Sequence, residues 1–340
     1  MQIQENSSLK KFNTFGIDAS ARYFANFSSW QELEELAYRA SKYPGHQAPL
    51  ILGGGSNILF TRDFTGLVLK NEIKGIKKIG EDETFIYVEA GAGENWHRFV
   101  LHCIDQHWAG LENLSLIPGN TGASPLQNIG AYGVELKDVF QELQAFHLRD
   151  KTIEKFTLKD CRFGYRESIF KGKYKGQFAI LTVSFRLRKK PLFNISYGAI
   201  EQELEKKGIK ELSIKAISDA VISIRSFKLP DPAITGNAGS FFKNPQVEQA
   251  TFRLLKDQFP SIVAYPLEDG SVKLAAGWLI EQCGWKGYRR GDAGCHEKQA
   301  LVLVNYGHAS GRQIYDLSTA ILESVQEKFG VLLEREVNII

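Results

Sequence analysis

The stretch "IPGNTGASPLQNIGAYG", residues 117–133, holds four glycines and no charged residue. Its glycines and two prolines argue against a regular helix or strand over this length. Such backbone suits close approach to a large flat ligand, with Asn120, Ser124, Gln127 and Asn128 reaching its polar edges. A second such stretch, "GGGSN" at 53–57, ends the apolar run "APLIL". Successive glycines let several N–H groups converge on an anion, and Ser56 and Asn57 add side-chain donors. The pattern is not G-x-G-x-x-G, because Ile58 stands where the last glycine belongs, and no P-loop motif occurs. A tight turn alone accounts for "GGGSN" as well as phosphate binding does. Taken together, the two stretches point to a nucleotide or dinucleotide cofactor, whose pyrophosphate needs donors along its length.

Before and between these stretches the chain alternates strand and helix. "SWQELEELAYRASK" (29–42) predicts a helix opened by Ser29 and Glu32 in capping-box spacing, with Trp30, Leu33, Ala37 and Ala40 on one face. "GLVLKN" (66–71) reads as a short strand, so residues 1–70 form a small α/β unit. In residues 71–225, "TFIYVEAGAG" (84–93) and "FAILTVSFRLR" (178–188) are strand-like. "ENWHRFVLHCIDQHW" (94–108) is an amphipathic helix burying Trp96, Phe99, Val100, Cys103 and Ile104. A second α/β domain with a substantial sheet follows from this.

"RSFKLPDPAITGNAGS" (225–240) is rich in Pro and Gly and marks a domain boundary. Beyond it lie helical patterns in "VEQATFRLLKDQF" (247–259), "SVKLAAGWLIEQC" (271–283) and "RQIYDLSTAILESVQEKF" (312–329), the last stopped by Gly330. "QALVLVNYG" (299–307) is a strand between them. The terminal "VLLEREVNII" (331–340) alternates as a strand, with Glu334 and Glu336 on one side.

At 340 residues the chain is too long for one ordinary core. Its 43% hydrophobic and 24% charged content is that of a soluble globular protein. A net charge of +3 without a Lys/Arg run argues against a nucleic-acid partner. The four cysteines are scattered without a C-x-x-C pair, and His97, His102 and His107 recur every five residues, off a common helical face. No metal site is expected. The polar N-terminus lacks a signal-peptide core, and no apolar run reaches membrane-spanning length, so a cytoplasmic location with no membrane partner is expected.

Ser240 lies in "GNAGSFFKNP" (236–245), with no nucleophile elbow around it; alone it reads as a loop serine satisfied by backbone. In "CRFGYRESIFK" (161–171), Arg166 fits a bidentate clamp on a carboxylate, or a surface salt bridge to Glu167 or Asp160. Arg225 and Lys228 fit either solvated charges or phosphate ligands.

The chain resembles the UDP-N-acetylenolpyruvoylglucosamine reductase family, flavoenzymes of bacterial peptidoglycan synthesis. The resemblance rests on "NTFGI" (13–17), "GGGSN" (53–57), "PGNTGASPLQNIGAYG" (118–133), "GYRESIFK" (164–171), "GSFFKNP" (239–245) and "LEREV" (333–337), in that order and over essentially the whole chain. "NISYGAIEQEL" (194–204) resembles the tyrosine-bearing loop found in one of the family's two classes.

The implied fold is α+β / α/β: a three-domain flavoprotein with a vanillyl-alcohol-oxidase-type FAD-binding fold and a C-terminal substrate-binding α+β domain. The implied division is 1–70 joined by the terminal strand 331–340, then 71–225, then 226–330. The implied ligands are noncovalent FAD, NADPH as hydride donor and a UDP-sugar bearing an enolpyruvyl ether; a monomer is expected. Gly53, Gly54, Gly55, Ser56 and Asn57, with Pro118, Gly119, Gly122, Ala123, Ser124, Gln127, Asn128, Ile129 and Gly130, are the implied FAD contacts. Neither loop has a His or Cys to bond the flavin covalently. Tyr197, Arg225, Lys228, Asn244 and Gln299 are the implied UDP-sugar contacts.

Hydride addition to the enolpyruvyl β-carbon leaves an electron pair on the α-carbon, delocalised into the carboxylate as a dianion. A dianion needs fixed charge and hydrogen-bond donors in a dry site. The resemblance implies Arg166 and a protonated Glu336 for that task, and Ser240 as the proton donor to the α-carbon. Physics alone does not choose between Glu334 and Glu336; the family's valine after the active glutamate selects Glu336. The tail departs from the family's pattern at Asn338, where a basic residue and a glycine usually follow. Two other readings are an oxygen-using flavin oxidase of the same fold and, from a different class, a nonenzymatic nucleotide-sugar- or flavin-binding protein. The Ser240, Arg166 and Glu336 set argues against both, because a mere binder needs no proton donor.

Overall fold

A computed structural model of the chain describes residues 2–40 and 48–340. By contacts these fall into two compact units: residues 2–7, 20–40, 48–55 and 64–227, and residues 8–19, 56–63 and 228–340.

Two sheets organise the first unit. Strands Gln4–Ser8, Ser20–Phe27, Phe64–Asn71 and Leu50–Leu52 lie in that order, with Phe64–Asn71 parallel to both Ser20–Phe27 and Leu50–Leu52. The second sheet runs Ile153–Thr157, Phe140–His147, Phe178–Arg188, Phe85–Gly91, Ile76–Glu81, antiparallel throughout. "FAILTVSF" is apolar at nearly every position because both of its faces are buried. Val183, Phe185 and Leu187 join a core with the helix Trp96–Asp105, while Ala179 and Leu181 join one with Leu33 and Leu36. The helix Trp96–Asp105 buries the five residues its periodicity picks out, Asn95 caps it through the Arg98 N–H, and Phe99 meets Phe185 at 4.8 Å between ring centroids.

The helix Trp30–Ala40 differs in detail from its sequence reading. Leu33 and Leu36 are fully buried, each contributing ~1.5–3 kcal/mol, whereas Trp30 faces outward at 40% exposure. The Ser29 hydroxyl accepts the Glu32 N–H, as expected for half of a capping box, but the Glu32 carboxylate reaches back to Ser28 N–H and hydroxyl instead of to Ser29 N–H. The Ala40 side chain and Ser41–Lys42 lie outside the described residues.

In the second unit, Gly236–Ser240, Val302–Asn305, Ala293–Cys295 and Arg289–Arg290 form an antiparallel sheet. A smaller one joins Gln246–Val247, Val272–Leu274 and Ala264–Pro266. Of "SVKLAAGWLIEQC", only Ala276–Gln282 is helical; Val272–Leu274 is strand. The helix Gly311–Phe329 has a Ser310/Gln313 capping box and ends on Gly330 at φ 65°.

"NTFGI" threads against the Ser240 strand. Asn13 ties the turn to Leu9 and Ile17, Asn237 N–H donates to Thr14 C=O, and Asn305 Nδ2 donates to Phe15 C=O. Only glycine fits at 236, since a Cβ there would stand 2.2 Å from the Phe15 oxygen.

The terminal segment is not a continuous strand. Arg335 makes a single bridge to Phe242, and only Asn338–Ile339 forms a strand, parallel to Ile58–Leu59. Its pairing partner lies within residues 1–70, to which the resemblance joins the tail, and by contacts both fall in the second unit.

Candidate active site

The "GGGSN" turn follows strand Leu50–Leu52, with Gly55 at φ 64°. Gly54 lies against the 117–133 segment so closely that a Cβ would stand 2.7 Å from Gly119 Cα. The 117–133 segment is more regular than its sequence suggests. Thr121–Leu126 is a 3-10 helix, and Gly130–Ala131 pairs with Val134–Glu135. It is laid along the end of the Phe85–Gly91 strand by Thr121 N–H to Glu94 C=O and Gly122 N–H to Ala92 C=O. A Cβ at Gly122 would stand 2.4 Å from Ala92 Cβ. Two glycine backbones in contact form a cradle without side chains, which suits an extended pyrophosphate-bearing ligand such as FAD.

Not every polar side chain in the segment faces outward. Ser124 is buried and donates to Thr121 C=O. Asn128 is fully buried at φ 44° and bonds Glu135, Gly164 C=O and Lys137 N–H. Asn120 donates to Gly93 C=O. These amides build the loop, so what Ser124 and Asn128 offer a cofactor is backbone. Gly53, Ser56, Asn57, Pro118, Gly119, Ala123, Gln127, Ile129 and Gly130 are all half-buried or more open.

A cationic cluster sits at the segment's far end. Tyr165–Arg166 is a two-residue turn closed by paired Gly164 and Glu167 backbone bonds. Arg166 takes φ 55° there, a conformation rarely adopted by non-glycine residues and often stored at functional sites. Its guanidinium donates to Gly130 C=O at 2.6 Å. Arg225 lies close enough to feel the Arg166 charge; burial, then that charge, holds its pKa below the usual range. Tyr132 lies close enough to interact with it electrostatically, and burial raises the Tyr132 pKa. Tyr197, at the start of helix Gly198–Lys206, packs edge-on against Tyr132 at 5.4 Å. Thus Arg166, Arg225 and Tyr197, distant in sequence, are brought together, with Tyr132 as an added member. Two guanidiniums and a phenol half-removed from water favour a carboxylate or phosphate.

In the second unit, backbone pairing joins the other two candidates. Glu336 N–H donates to Phe241 C=O and Lys243 N–H to Glu334 C=O, both flanking the Phe242–Arg335 bridge. Ser240 adjoins this pairing. A bulge between Asn237 and Ser240, with Gly239 at φ 69°, precedes it. Ser240 is exposed, and its hydroxyl has no hydrogen-bond partner among the described residues, against the reading of a backbone-satisfied loop serine. The two glutamates differ. Glu334 is 69% exposed in its side chain and pairs at 2.8 Å with Lys243, whereas Glu336 is half-buried. Asn338, at the departure from the family's pattern, fixes the tail by donating twice to Asn57 C=O.

Asn244 and Gln299 flank the start of helix Ala276–Gln282. Asn244 Oδ1 accepts the Ala276 N–H, and Gln299 Oε1 accepts Leu301 N–H and lies 3.1 Å from a Cβ placed on Gly277. With the oxygens occupied, the amide NH₂ groups are what each offers a ligand. Lys228 is exposed at the end of helix Ile214–Lys228. Burial pushes the Cys161 and Cys295 thiols up to about 12, which leaves them inert as nucleophiles.

The comparisons with known proteins define the class first. Residues 21–156 match the family model described as FAD binding domain, so the chain is a flavoprotein by family. Residues 231–340 match the model described as UDP-N-acetylenolpyruvoylglucosamine reductase, C-terminal domain. The UDP-N-acetylenolpyruvoylglucosamine reductase of Amoebophilus asiaticus (strain 5a2) is 53% identical, covering 100% of both chains. That of Pseudomonas syringae pv. tomato is 51% identical over 100% of this chain and 99% of its own. The chain belongs to the UDP-N-acetylenolpyruvoylglucosamine reductase family. A crystal structure of the Thermus caldophilus reductase shares the fold, with a TM-score of 0.68 at 22% identity over 99% of this chain and 98% of that one.

Gly54→Ala tests the cradle. Overpacking backbone against backbone costs about 1–3 kcal/mol, so the purified variant is expected to hold less FAD per chain than wild type. A full complement of FAD by absorbance overturns the close contact as a binding feature.

Proposed function

We infer that the chain is an oxidoreductase that reduces UDP-N-acetylglucosamine enolpyruvate to UDP-N-acetylmuramate in peptidoglycan precursor synthesis, with NADPH as donor and FAD as noncovalent cofactor. Full-length identity of about half to reductases of that name is the observation that carries it. FAD, when bound, supplies hydride taken from NADPH to the enolpyruvyl β-carbon. The chain's own groups do the rest. The two glycine stretches hold the cofactor. Arg166 holds the substrate carboxylate as charge accumulates there, Glu336 donates a hydrogen bond to it, and Ser240 protonates the α-carbon. Tyr197, Arg225, Lys228, Asn244 and Gln299 bind the UDP-sugar, the guanidinium and ammonium groups at its phosphates.

Ser240 as acid rather than nucleophile is supported by a hydroxyl that has no hydrogen-bond partner among the described residues and stands beside the Glu336 pairing. An acid needs no triad, and among the described residues no base is hydrogen-bonded to it. Among the described residues no helix is long and apolar enough to cross a membrane. The reading makes the enzyme a cytoplasmic monomer with no nucleic-acid partner. It divides the chain functionally into 1–70 with 331–340, 71–225, and a substrate domain at 226–330.

The purified protein is expected to be yellow, to release free FAD on acid or heat treatment, and to consume NADPH in proportion to added UDP-enolpyruvyl-sugar. Colour retained in the precipitate contradicts noncovalent binding. NADPH consumption sustained by oxygen alone favours an oxidase, and none at all a binding protein.

A further inference from the structure

His97 has no part in the reading above, yet it is tied to Arg225. It sits in the first turn of helix Trp96–Asp105, and its Nδ1 accepts the Leu116 N–H at 3.0 Å. The same peptide segment faces the other way as well: Leu116 C=O accepts from Arg225 Nε at 3.3 Å. Leu116 stands at φ 58°, in the left-handed region that a leucine adopts only when its surroundings hold it there. It directly precedes the 117–133 segment. Two side chains from two helices therefore grip one strained residue, one on its N–H and one on its C=O.

We propose that His97 is a positioning residue for substrate binding, which through Leu116 fixes the direction of the Arg225 guanidinium toward an anionic group of the UDP-sugar. The inference rests on Arg225 being a substrate contact. The chemistry requires a neutral ring. Nδ1 can accept the Leu116 N–H only if unprotonated, and the ring proton then sits on Nε2. Burial, then the nearby Arg225 charge, lowers the His97 pKa and keeps the ring in that form at neutral pH. Lysine or arginine at 97 has no acceptor and cannot replace it. An asparagine can, because its Oδ1 falls near the place of Nδ1; a glutamine puts its oxygen near the place of Nε2.

The test uses the FAD-loaded full chain with His97→Asn, His97→Gln, Arg225→Ala and the His97→Gln/Arg225→Ala pair. The Michaelis constant for the UDP-enolpyruvyl-sugar, kcat, bound FAD and thermal midpoint are measured. His97→Gln is expected to raise KM about five- to tenfold, the scale of one misplaced hydrogen bond, with kcat within about twofold. His97→Asn is expected to stay near wild type. The double variant is expected to have the KM of Arg225→Ala alone, because a group that acts only through Arg225 has nothing left to position. Equal KM for Asn and Gln variants overturns the proposal, as does a double variant whose losses multiply. An unchanged KM in Arg225→Ala overturns the substrate role of Arg225 and the proposal with it. Wild-type protein without reductase activity overturns the functional reading itself.

Discussion

Glu336→Gln is expected to lower reduction of the UDP-enolpyruvyl-sugar by about 10²–10³-fold, the usual cost of losing one donor to a developing oxyanion, while Glu334→Gln keeps kcat near wild type. The backbone of Glu336 is fixed on both sides, its N–H on Phe241 C=O and its C=O near Asn57 Nδ2 at 3.4 Å. Its side chain leaves a half-buried position. Glu334 already has a partner. Its carboxylate meets Lys243, whose side chain is only 7% exposed, at 2.8 Å. Removing a carboxylate from a buried ammonium destabilises the fold. Glu334→Gln is therefore expected to lower the thermal midpoint and spare turnover, and Glu336→Gln to do the reverse. Turnover and melting curves of the two variants check both arms. A crippled Glu334→Gln beside an active Glu336→Gln would mean that the register of "LEREV" does not carry over to this tail.

What the sequence makes legible is what short-range periodicity controls. The helix Trp96–Asp105 reads correctly because its apolar residues fall at 96, 99, 100, 103 and 104 and Asn95 caps it. Trp30 is misread because an aromatic at the first helical position matches the stripe, yet the buried stripe is set by Leu33 and Leu36. The alternation in "VLLEREVNII" suggests a full strand. Only a neighbour supplies pairing, however, and here it offers one bridge at Phe242 and two residues at Ile58–Leu59.

The candidate site divides along the same line. Glycines at 54, 119 and 122 read as close approach of backbone to a ligand; in the structure Gly54 lies against Gly119 and Gly122 against Ala92. The direction of an amide is not legible: Asn128 in a glycine-rich loop serves a ligand or its own backbone equally well on paper, and it bonds Glu135, Gly164 and Lys137. Tyr132, and the tie of His97 to Leu116, escape notice because the partners lie far along the chain, at 197 and 225 for Tyr132 and 116 for His97. An uncharged loop carrying a lone tyrosine was the available signal for Tyr132.

Ser240→Ala is expected to abolish most reduction of the UDP-enolpyruvyl-sugar, by about 10²–10⁴-fold, the range for loss of a general acid, without disturbing the fold or the cofactor. The hydroxyl has no hydrogen bond to lose among the described residues, and the side chain is exposed, so stability should change by no more than about 0.5 kcal/mol. The strand is held instead by backbone: Phe241 N–H donates to Leu301 C=O, Phe241 C=O accepts from Glu336, and Phe241 and Phe242 are buried. Alanine leaves all of these in place. FAD content and NADPH consumption in a single turnover without UDP-sugar are expected to match wild type, since neither needs the hydroxyl. What fails is the last proton. Without a donor at the α-carbon the dianion has no forward path, and hydride addition to the β-carbon reverses. Cysteine at 240 is expected to restore part of the activity, because a thiol donates a proton from nearly the same place. Rapid mixing of NADPH-reduced protein with the UDP-enolpyruvyl-sugar reads the step directly. A Ser240→Ala protein that completes it at the wild-type rate would return this serine to an ordinary loop hydroxyl and leave the proton to come from another group.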